Sequence, residues 1–267
     1  MQTPEFQNVT VRGQPLRLLR GGSGAPLLWL RGADASDTWR DYMTELAQSF
    51  DIIAPEHPGF GNVLKPEWLD DIGDMAWFYL DLIDALGLQR VHLAGHGLGG
   101  WIAAEMAMRD ARKLATLTLV GAPGNLLPEA GGEDPFLRNE EQTIEDQFHD
   151  RKLATKELEH RLTPETEDAR IANQMVIAQL AWSPRWHDPR LRKWAHRIDT
   201  PTLIIWGEKD LVSPPAHARE WQRLIGGAEL EIIPACGHAV PLEKPAQFVS
   251  LVSGFASRHA HSKEAAS

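Results

Sequence analysis

The sequence has a single cysteine, Cys236, so no disulfide can form within the chain. That composition fits a reducing compartment, and we expect a cytoplasmic protein. The sequence also lacks an excess of basic residues, because 27 Lys and Arg stand against 37 Asp and Glu, a formal net charge of −10. Nucleic acid and anionic membrane surfaces repel such a chain, so neither is expected as a partner.

No stretch approaches the roughly 20 consecutive apolar residues of a transmembrane helix. The first eleven residues lack the basic stretch and the apolar core of a secretory signal. No His, Cys and Asp residues show the spacing of a metal site, since His57, His92 and His96 do not form a local set. We therefore expect no membrane span, no metal and no cofactor.

Strand and helix patterns alternate along most of the chain, which predicts an α/β protein with a parallel sheet and helices on both faces. Predicted strands lie at residues 9–11, 16–20, 27–30, 51–54, 91–94, 114–120, 202–206 and 229–233. Predicted helices lie at residues 38–48, 72–86, 98–109, 215–225 and 245–257. Continuous apolar runs such as residues 27–30 are typical of strands that are buried on both faces.

The alternation stops between residues 121 and 199, where no buried strand pattern occurs. Charged helical patterns appear there at residues 138–149, 151–161 and 164–181, and we interpret the segment as a helical insertion, a candidate lid. The predicted domains are therefore a core of residues 1–120 and 200–258 and a lid of residues 121–199. A polar tail at residues 259–267 is expected to be disordered.

A glycine-rich turn, Gly95-His96-Gly97-Leu98-Gly99, follows a predicted strand and precedes a predicted helix. Its context matches the G-x-S-x-G nucleophile elbow, which holds its central residue in a strained conformation at the top of a sheet. The central residue here is Gly97, which tolerates a positive φ but has no hydroxyl. An ordinary glycine-rich turn is the alternative. A phosphate-binding loop fits less well, because no Lys-Ser/Thr follows the glycines.

Two more loops follow predicted strands, and they contain Asp210 and His238. Because the carboxyl ends of parallel strands meet at one edge of a sheet, we expect both side chains to lie near Gly97. The order elbow, Asp, His is that of an α/β-hydrolase triad, with His238 as the base and Asp210 orienting it. Glu208 is a competing carboxylate, and Cys236 is a second candidate nucleophile.

These motifs resemble the α/β-hydrolase superfamily, specifically the small bacterial group with a helical lid that includes esterases, lactonases and C–C bond hydrolases. The resemblance covers residues 9–255 and is carried by residues 55–61, 95–100, 206–210 and 237–245. It implies an α/β-hydrolase fold with a mostly parallel eight-stranded sheet, helices on both faces and a helical lid. It also implies a catalytic set of Gly97, Asp210 and His238, with a small organic molecule as substrate and a monomer or homodimer as the assembly.

The sequence departs from the family pattern at two positions. Gly97 replaces the usual Ser, and Arg31 stands where the family usually has His before Gly32. The loop after Arg31 resembles the oxyanion loop, so the backbone N–H groups of Ala33 and Leu98 would stabilise an oxyanion whatever the side chains are. Asp34 in the same loop is interpreted as a turn residue.

Three residues are candidate substrate contacts, namely Arg31, His96 and Trp182. Arg31 could reach an anionic substrate or face solvent. As nucleophiles, His96 and Leu98 are excluded, because the neighbours of the elbow apex are expected to point away from the cleft. The lid aromatics suggest an apolar pocket, although core packing explains them equally well; they are Phe136, Phe148, Trp182 and Trp186.

Three functional interpretations follow. The chain is a hydrolase of an ester, lactone or C–C bond whose nucleophilic Ser has been replaced by Gly97. Alternatively, it is a native enzyme without a covalent step, in which His238 acts as general base on water or on the substrate. The third interpretation is a non-catalytic protein that binds a small ligand on the same scaffold.

Overall fold

The computed structural model describes residues 4–33, 38–61, 63–125, 127 and 134–259. The described strands are β1 Glu5–Val11, β2 Gln14–Gly22, β3 Ala25–Leu30, β4 Phe50–Pro55, β5 Val91–His96, β6 Leu114–Val120, β7 Thr202–Gly207 and β8 Glu229–Ile233. The described α-helices are α1 Asp41–Leu46, α2 Ile72–Ala85, α3 Leu98–Arg109, α4 Glu140–Glu145, α5 Arg151–Arg161, α6 Glu167–Ala181, α7 Pro189–Trp194, α8 Ala216–Leu224, α9 Val240–Glu243 and α10 Pro245–Arg258.

The eight strands form one sheet in the order β1-β2-β4-β3-β5-β6-β7-β8. The pairs β1–β2 and β2–β4 are antiparallel, and every later pair is parallel. The central strands β5, β6 and β7 are buried almost throughout, which explains their continuous apolar sequences. The predicted eight-stranded, mostly parallel sheet is therefore confirmed.

Helices cover both faces of the sheet, and each face has its own hydrophobic core. One core contains the buried residues of α2, α3 and α8, and the other contains those of α1 and α10. Helix α2 shows why the sequence forms a helix here. Asp71 accepts the N–H of Asp74 in a capping box, and the apolar residues from Ile72 onward recur on one face.

The segment between β6 and β7 is helical where it is described, and it contains α4 to α7. The helix predicted at residues 138–149 is limited to α4, which Asn139 caps, and α6 begins after a 3₁₀ turn at Pro164–Thr166. Helix α7 was not predicted, because its six residues are too few to show a periodicity.

Residues 260–267 and Asp34 lie outside the described residues. In the described part of the chain, no helix has the length and apolarity to cross a membrane.

A buried histidine makes the stability of the fold depend on pH. His92 on β5 is 5% exposed, and its Nδ1 lies 2.8 Å from Thr116 Oγ1 on β6. Burial, and secondly the charge of Arg90, lower the pKa of His92 from 6.5 to about 4. Between about pH 6.5 and 4 the unfolded chain therefore binds a proton at His92 that the folded chain does not bind. The contribution of neutral His92 to the free energy of unfolding is present above pH 6.5 and is lost as the pH falls towards 4.

We expect the wild-type protein to lose about 2 kcal/mol more unfolding free energy than His92→Gln between about pH 7.5 and 5. Glutamine keeps a hydrogen-bonding group for Thr116 but does not titrate. Denaturant unfolding at both pH values measures the difference. His160→Gln, at an exposed histidine on α5, is the control and should follow the wild type. Equal losses in wild type and His92→Gln would contradict the prediction.

Candidate active site

The turn at Gly97 lies between the end of β5 and the start of α3. Gly97 has φ 53° and ψ −120°, in a region that side chains other than glycine rarely occupy. Its N–H donates to Val120 O at 2.8 Å, and its carbonyl accepts the N–H of Trp101 at 3.1 Å. The strand, the adjacent strand and the helix therefore fix this residue at the carboxyl edge of the sheet.

The three glycines of the turn differ in the space around them. A Cβ added at Gly95 would lie 2.2 Å from Gly99 O, and one at Gly99 would lie 2.1 Å from Leu30 O. At Gly97 the nearest atom to an added Cβ is His238 Nε2, at 3.1 Å, and the next is Gly32 Cα at 3.8 Å. Packing therefore requires glycine at the two ends of the turn, whereas a small side chain at Gly97 would be directed at the His238 ring, which would have to move by only a few tenths of an ångström.

His238 is held by Asp210. Its Nδ1 lies 2.8 Å from Asp210 Oδ2, and the other carboxylate oxygen accepts the N–H of Ser213 at 2.7 Å. Both side chains are buried, with 6% and 4% exposure. Because a carboxylate can only accept, Nδ1 carries the proton of a neutral imidazole and Nε2 presents its lone pair. The structure thus brings Gly97, Asp210 and His238 together.

A glycine also makes room for the imidazole. A Cβ added at Gly121, just after β6, would lie 2.9 Å from both His238 Nδ1 and Cε1. The competing groups lie elsewhere. Glu208 is exposed and pairs with Lys209. Cys236 is fully buried in a hydrophobic core, and burial raises the pKa of its thiol, so a thiolate nucleophile is disfavoured.

A cavity of about 250 Å³ lies over the turn and is lined by Gly97 and His238. Ala33 and Leu98 also line it, and Leu98 is the first residue of α3, where the amide groups have no acceptor within the helix. The apolar wall consists of Leu98, Pro123, Phe136, Ile177, Trp186 and Val212. The polar wall consists of Arg138, Thr143, Asp146, Gln147 and Gln174.

The polar wall was not predicted from sequence. Arg138 and Asp146 form an ion pair at 2.9 Å that flanks α4; Thr143 lies in α4, and Asp146 and Gln147 directly follow its last residue. Charged residues at helical spacing are typical of a solvated surface, so no local signal distinguishes this face. Only the packing of α4 over the sheet edge places it against the cavity.

Two of the three predicted substrate contacts line cavities. His96 lines the large cavity, and its Nε2 lies 3.0 Å from the backbone oxygen of His238, so the expectation that it points away from the cleft is wrong. Arg31 is 7% exposed, which rules out the solvent-facing alternative. It lines a smaller adjoining cavity of about 40 Å³, together with Arg40 and Arg161.

The prediction for Trp182 is not supported. Its side chain is 54% exposed and packs against Phe136 and Arg185, whereas the large cavity is lined by Trp186. Trp186 makes edge-to-face contacts with Phe136 and with Trp101 of α3, so it faces the core where Trp182 faces outward. Phe148 is 2% exposed and belongs to a separate cluster around Ile144.

No group of three or more His, Cys, Asp or Glu that could hold a metal occurs among the residues placed by the structure.

A family model described as the alpha/beta hydrolase fold matches residues 18–245. The chain belongs to the α/β-hydrolase family.

Curated relatives are similar over nearly the whole chain. A 2-hydroxy-6-oxo-2,4-heptadienoate hydrolase of Pseudomonas putida is 30% identical over 255 residues, which cover 88% of this chain and 90% of the relative. A 2-hydroxymuconate semialdehyde hydrolase of a Pseudomonas species is 27% identical, and the match covers 95% of this chain and 94% of the relative. Both of these relatives are named as hydrolases.

Solved structures agree on the fold. A membrane phospholipase A superposes with a TM-score of 0.80 at 24% identity, covering 96% of this chain and 87% of the other. A 2-hydroxy-6-oxo-6-phenylhexa-2,4-dienoate hydrolase from a Rhodococcus species superposes with a TM-score of 0.75 at 18% identity, covering 96% and 99%. The predicted α/β-hydrolase fold is confirmed.

We expect Gly99→Ala to destabilise this α/β-hydrolase by at least about 2 kcal/mol, because the new methyl group would overlap the rigid backbone oxygen of Leu30. Gly226→Ala is the matched control, since a Cβ there meets nothing within 4 Å; it should stay within about 0.5 kcal/mol of the wild type. Denaturant unfolding measures both. A Gly99→Ala protein as stable as the control would show that the turn is looser than described.

Proposed function

We propose that this α/β-hydrolase hydrolyses an ester, lactone or C–C bond of a small organic substrate without a covalent intermediate. Gly97 occupies the position of the family's nucleophile, His238 is the general base, and Asp210 orients it. Ala33 and Leu98 supply the oxyanion donors, and residues 121–199 are a lid. The protein would act in the cytoplasm, as a monomer or homodimer, on a small molecule.

One observation carries this proposal, namely the space beside His238 Nε2. A Cβ at Gly97 would lie 3.1 Å from that nitrogen, so a serine hydroxyl would stand next to the base. With glycine, a water molecule can occupy the same volume within hydrogen-bonding reach of Nε2. The contact between His238 and Asp210 supports the proposed base and its orienting carboxylate, and Gly97 has no side chain that could act as a covalent nucleophile.

The reaction then proceeds in two proton transfers. His238 Nε2 takes a proton from water as the water oxygen attacks the substrate carbonyl, and the N–H groups of Ala33 and Leu98 stabilise the oxyanion. The tetrahedral intermediate collapses and breaks the C–O or C–C bond. The imidazolium returns its proton to the leaving alkoxide or carbanion, which gives a carboxylic acid and an alcohol or a carbon acid.

The relatives support this class of substrate. The Pseudomonas proteins are named for hydrolysis of a 6-oxo-dienoate and of a semialdehyde, both small carbonyl compounds. A cavity of about 250 Å³, lined by both apolar and polar residues, fits a molecule of that size. The substrate itself would be found with a panel of p-nitrophenyl esters, lactones and 1,5-diketones.

We expect the wild type to turn over at least one member of this panel slowly, and His238→Ala to lower kcat by about 10²- to 10⁴-fold, the usual contribution of a general base. Gly97→Ala should also lower kcat, because its methyl group displaces the water beside Nε2. Gly97→Ser should gain covalent labelling by a fluorophosphonate and an acyl-enzyme detectable by mass spectrometry. Steady-state kinetics and intact-mass measurements give these results.

Gly97→Ala is the matched control for Gly97→Ser, because both fill the space and only one adds a hydroxyl. An acyl-enzyme formed by the wild type would contradict the water mechanism. Ligand binding without turnover, unchanged in His238→Ala, would instead favour a binding protein. A Gly97→Ser protein that neither reacts with fluorophosphonate nor gains esterase activity would show that Gly97 is not at the nucleophile position.

A further inference from the structure

Another buried histidine, His57, contacts the backbone at Arg31, at the start of the proposed oxyanion loop. It follows β4 in the loop before Gly59 and is 1% exposed. Its Nε2 lies 2.9 Å from the backbone oxygen of Arg31, and its Nδ1 lies 2.5 Å from the hydroxyl of Tyr79 on α2. The ring packs edge-on against Tyr79 and Phe60.

The two contacts fix where the protons are. The Arg31 carbonyl can only accept, so Nε2 carries the proton of neutral His57 and Nδ1 is left as an acceptor. Tyr79 is fully buried, and burial raises the pKa of its phenol, so its O–H stays protonated and donates to Nδ1. The Tyr79 hydroxyl, both ring nitrogens of His57 and the Arg31 carbonyl therefore each have a hydrogen-bond partner of the right kind.

The Arg31 carbonyl oxygen, which ends this series of hydrogen bonds, has a second neighbour. The Arg31 carbonyl oxygen also lies against the glycine turn, because a Cβ added at Gly99 would be 2.4 Å from it. The same carbonyl belongs to the Arg31–Gly32 peptide, one residue before the Ala33 N–H. A rotation that turned this carbonyl away from His57 and Gly99 would open the contact between the loop and the glycine turn, and it would change the backbone path through Gly32 to Ala33.

We propose that His57, held by Tyr79, is a positioning residue for the oxyanion hole. Its Nε2–H fixes the Arg31 carbonyl and thereby the direction of the Ala33 N–H relative to that of Leu98. This inference rests on the proposed function, since it assumes that both N–H groups receive the oxyanion. Without a serine, the site depends on this hole for transition-state stabilisation, so its alignment matters more than in an enzyme with a covalent nucleophile.

The test uses phosphonylation of Gly97→Ser by a fluorophosphonate, because that reaction needs the oxyanion donors and no natural substrate. In this background, His57→Leu should slow labelling by at least about 10-fold, within the range for a lost or misaligned oxyanion donor. His57→Gln should stay within about threefold, because an amide supplies one donor and one acceptor, as His57 does. With a turnover substrate, the loss should appear in kcat and leave KM within about twofold.

His92→Leu is the matched control, because it removes a buried histidine of β5 at the end remote from Gly97, with one side-chain partner. It should not change the labelling rate. If His57→Leu does not fold, Tyr79→Phe keeps the imidazole and removes only the donor to Nδ1, and it should slow labelling less than His57→Leu would. The proposal would be overturned if Gly97→Ser alone and Gly97→Ser combined with His57→Leu or Tyr79→Phe were labelled at equal rates.

Nuclear magnetic resonance of the unaltered protein provides a readout that needs no reaction. The ¹⁵N shifts of His57 should show the Nε2–H tautomer, with a proton protected from exchange; the Nδ1–H tautomer would overturn the inference. A Gly97→Ser protein that is not labelled at all would count against the proposed function. The tautomer measurement would then decide alone whether His57 holds the loop.

Discussion

The hydrogen bond between Asp210 and His238 determines how the rest of the site is arranged. Because the carboxylate fixes the proton on Nδ1, the lone pair on Nε2 must point away from Asp210, towards Gly97. Gly121 clears the space for the ring at this angle. The imidazole therefore presents its free nitrogen in one direction. The volume beside Gly97 lies there, and the cavity lined by Gly97 and His238 is also lined by Ala33 and Leu98.

The parallel sheet explains why so much of this arrangement is visible in the sequence. Gly97, Asp210 and His238 are far apart along the chain, but each follows a strand, and parallel strands end at one edge. Continuous apolar runs identify the buried strands β5 and β7 without knowledge of their partners, whereas β8 is partly exposed at the edge of the sheet. The close packing at Gly95 and Gly99 also leaves a local signature, since only glycine fits there. The fold, and the placement of His238 beside Gly97, were predictable because their signals are local or follow from chain order.

The walls of the cavity were less predictable, since their residues differ from surface residues only in where their helices pack. Thr143, Asp146 and Gln147 have the polar spacing of a solvated helix, and Trp182 and Trp186 are chemically identical. Sequence alone therefore could not choose the tryptophan that lines the cavity. The same holds for Arg31 and His57. Both are polar residues that the fold buries, and their roles depend on partners in α2 and the loop before α1.

Two energetic terms distinguish the glycine turn from the buried Asp210–His238 pair. A non-glycine residue at φ 53° would cost roughly 1–3 kcal/mol of backbone strain, and Gly97 avoids that cost. The buried Asp210, in contrast, carries a cost, because removing a carboxylate from water is unfavourable. Its hydrogen bonds with His238 and with the Ser213 N–H offset this desolvation free energy. The chain thus lacks the strained nucleophile but retains the desolvated pair. A desolvated carboxylate beside an oriented imidazole is what proton abstraction from water or substrate needs, and it needs no serine.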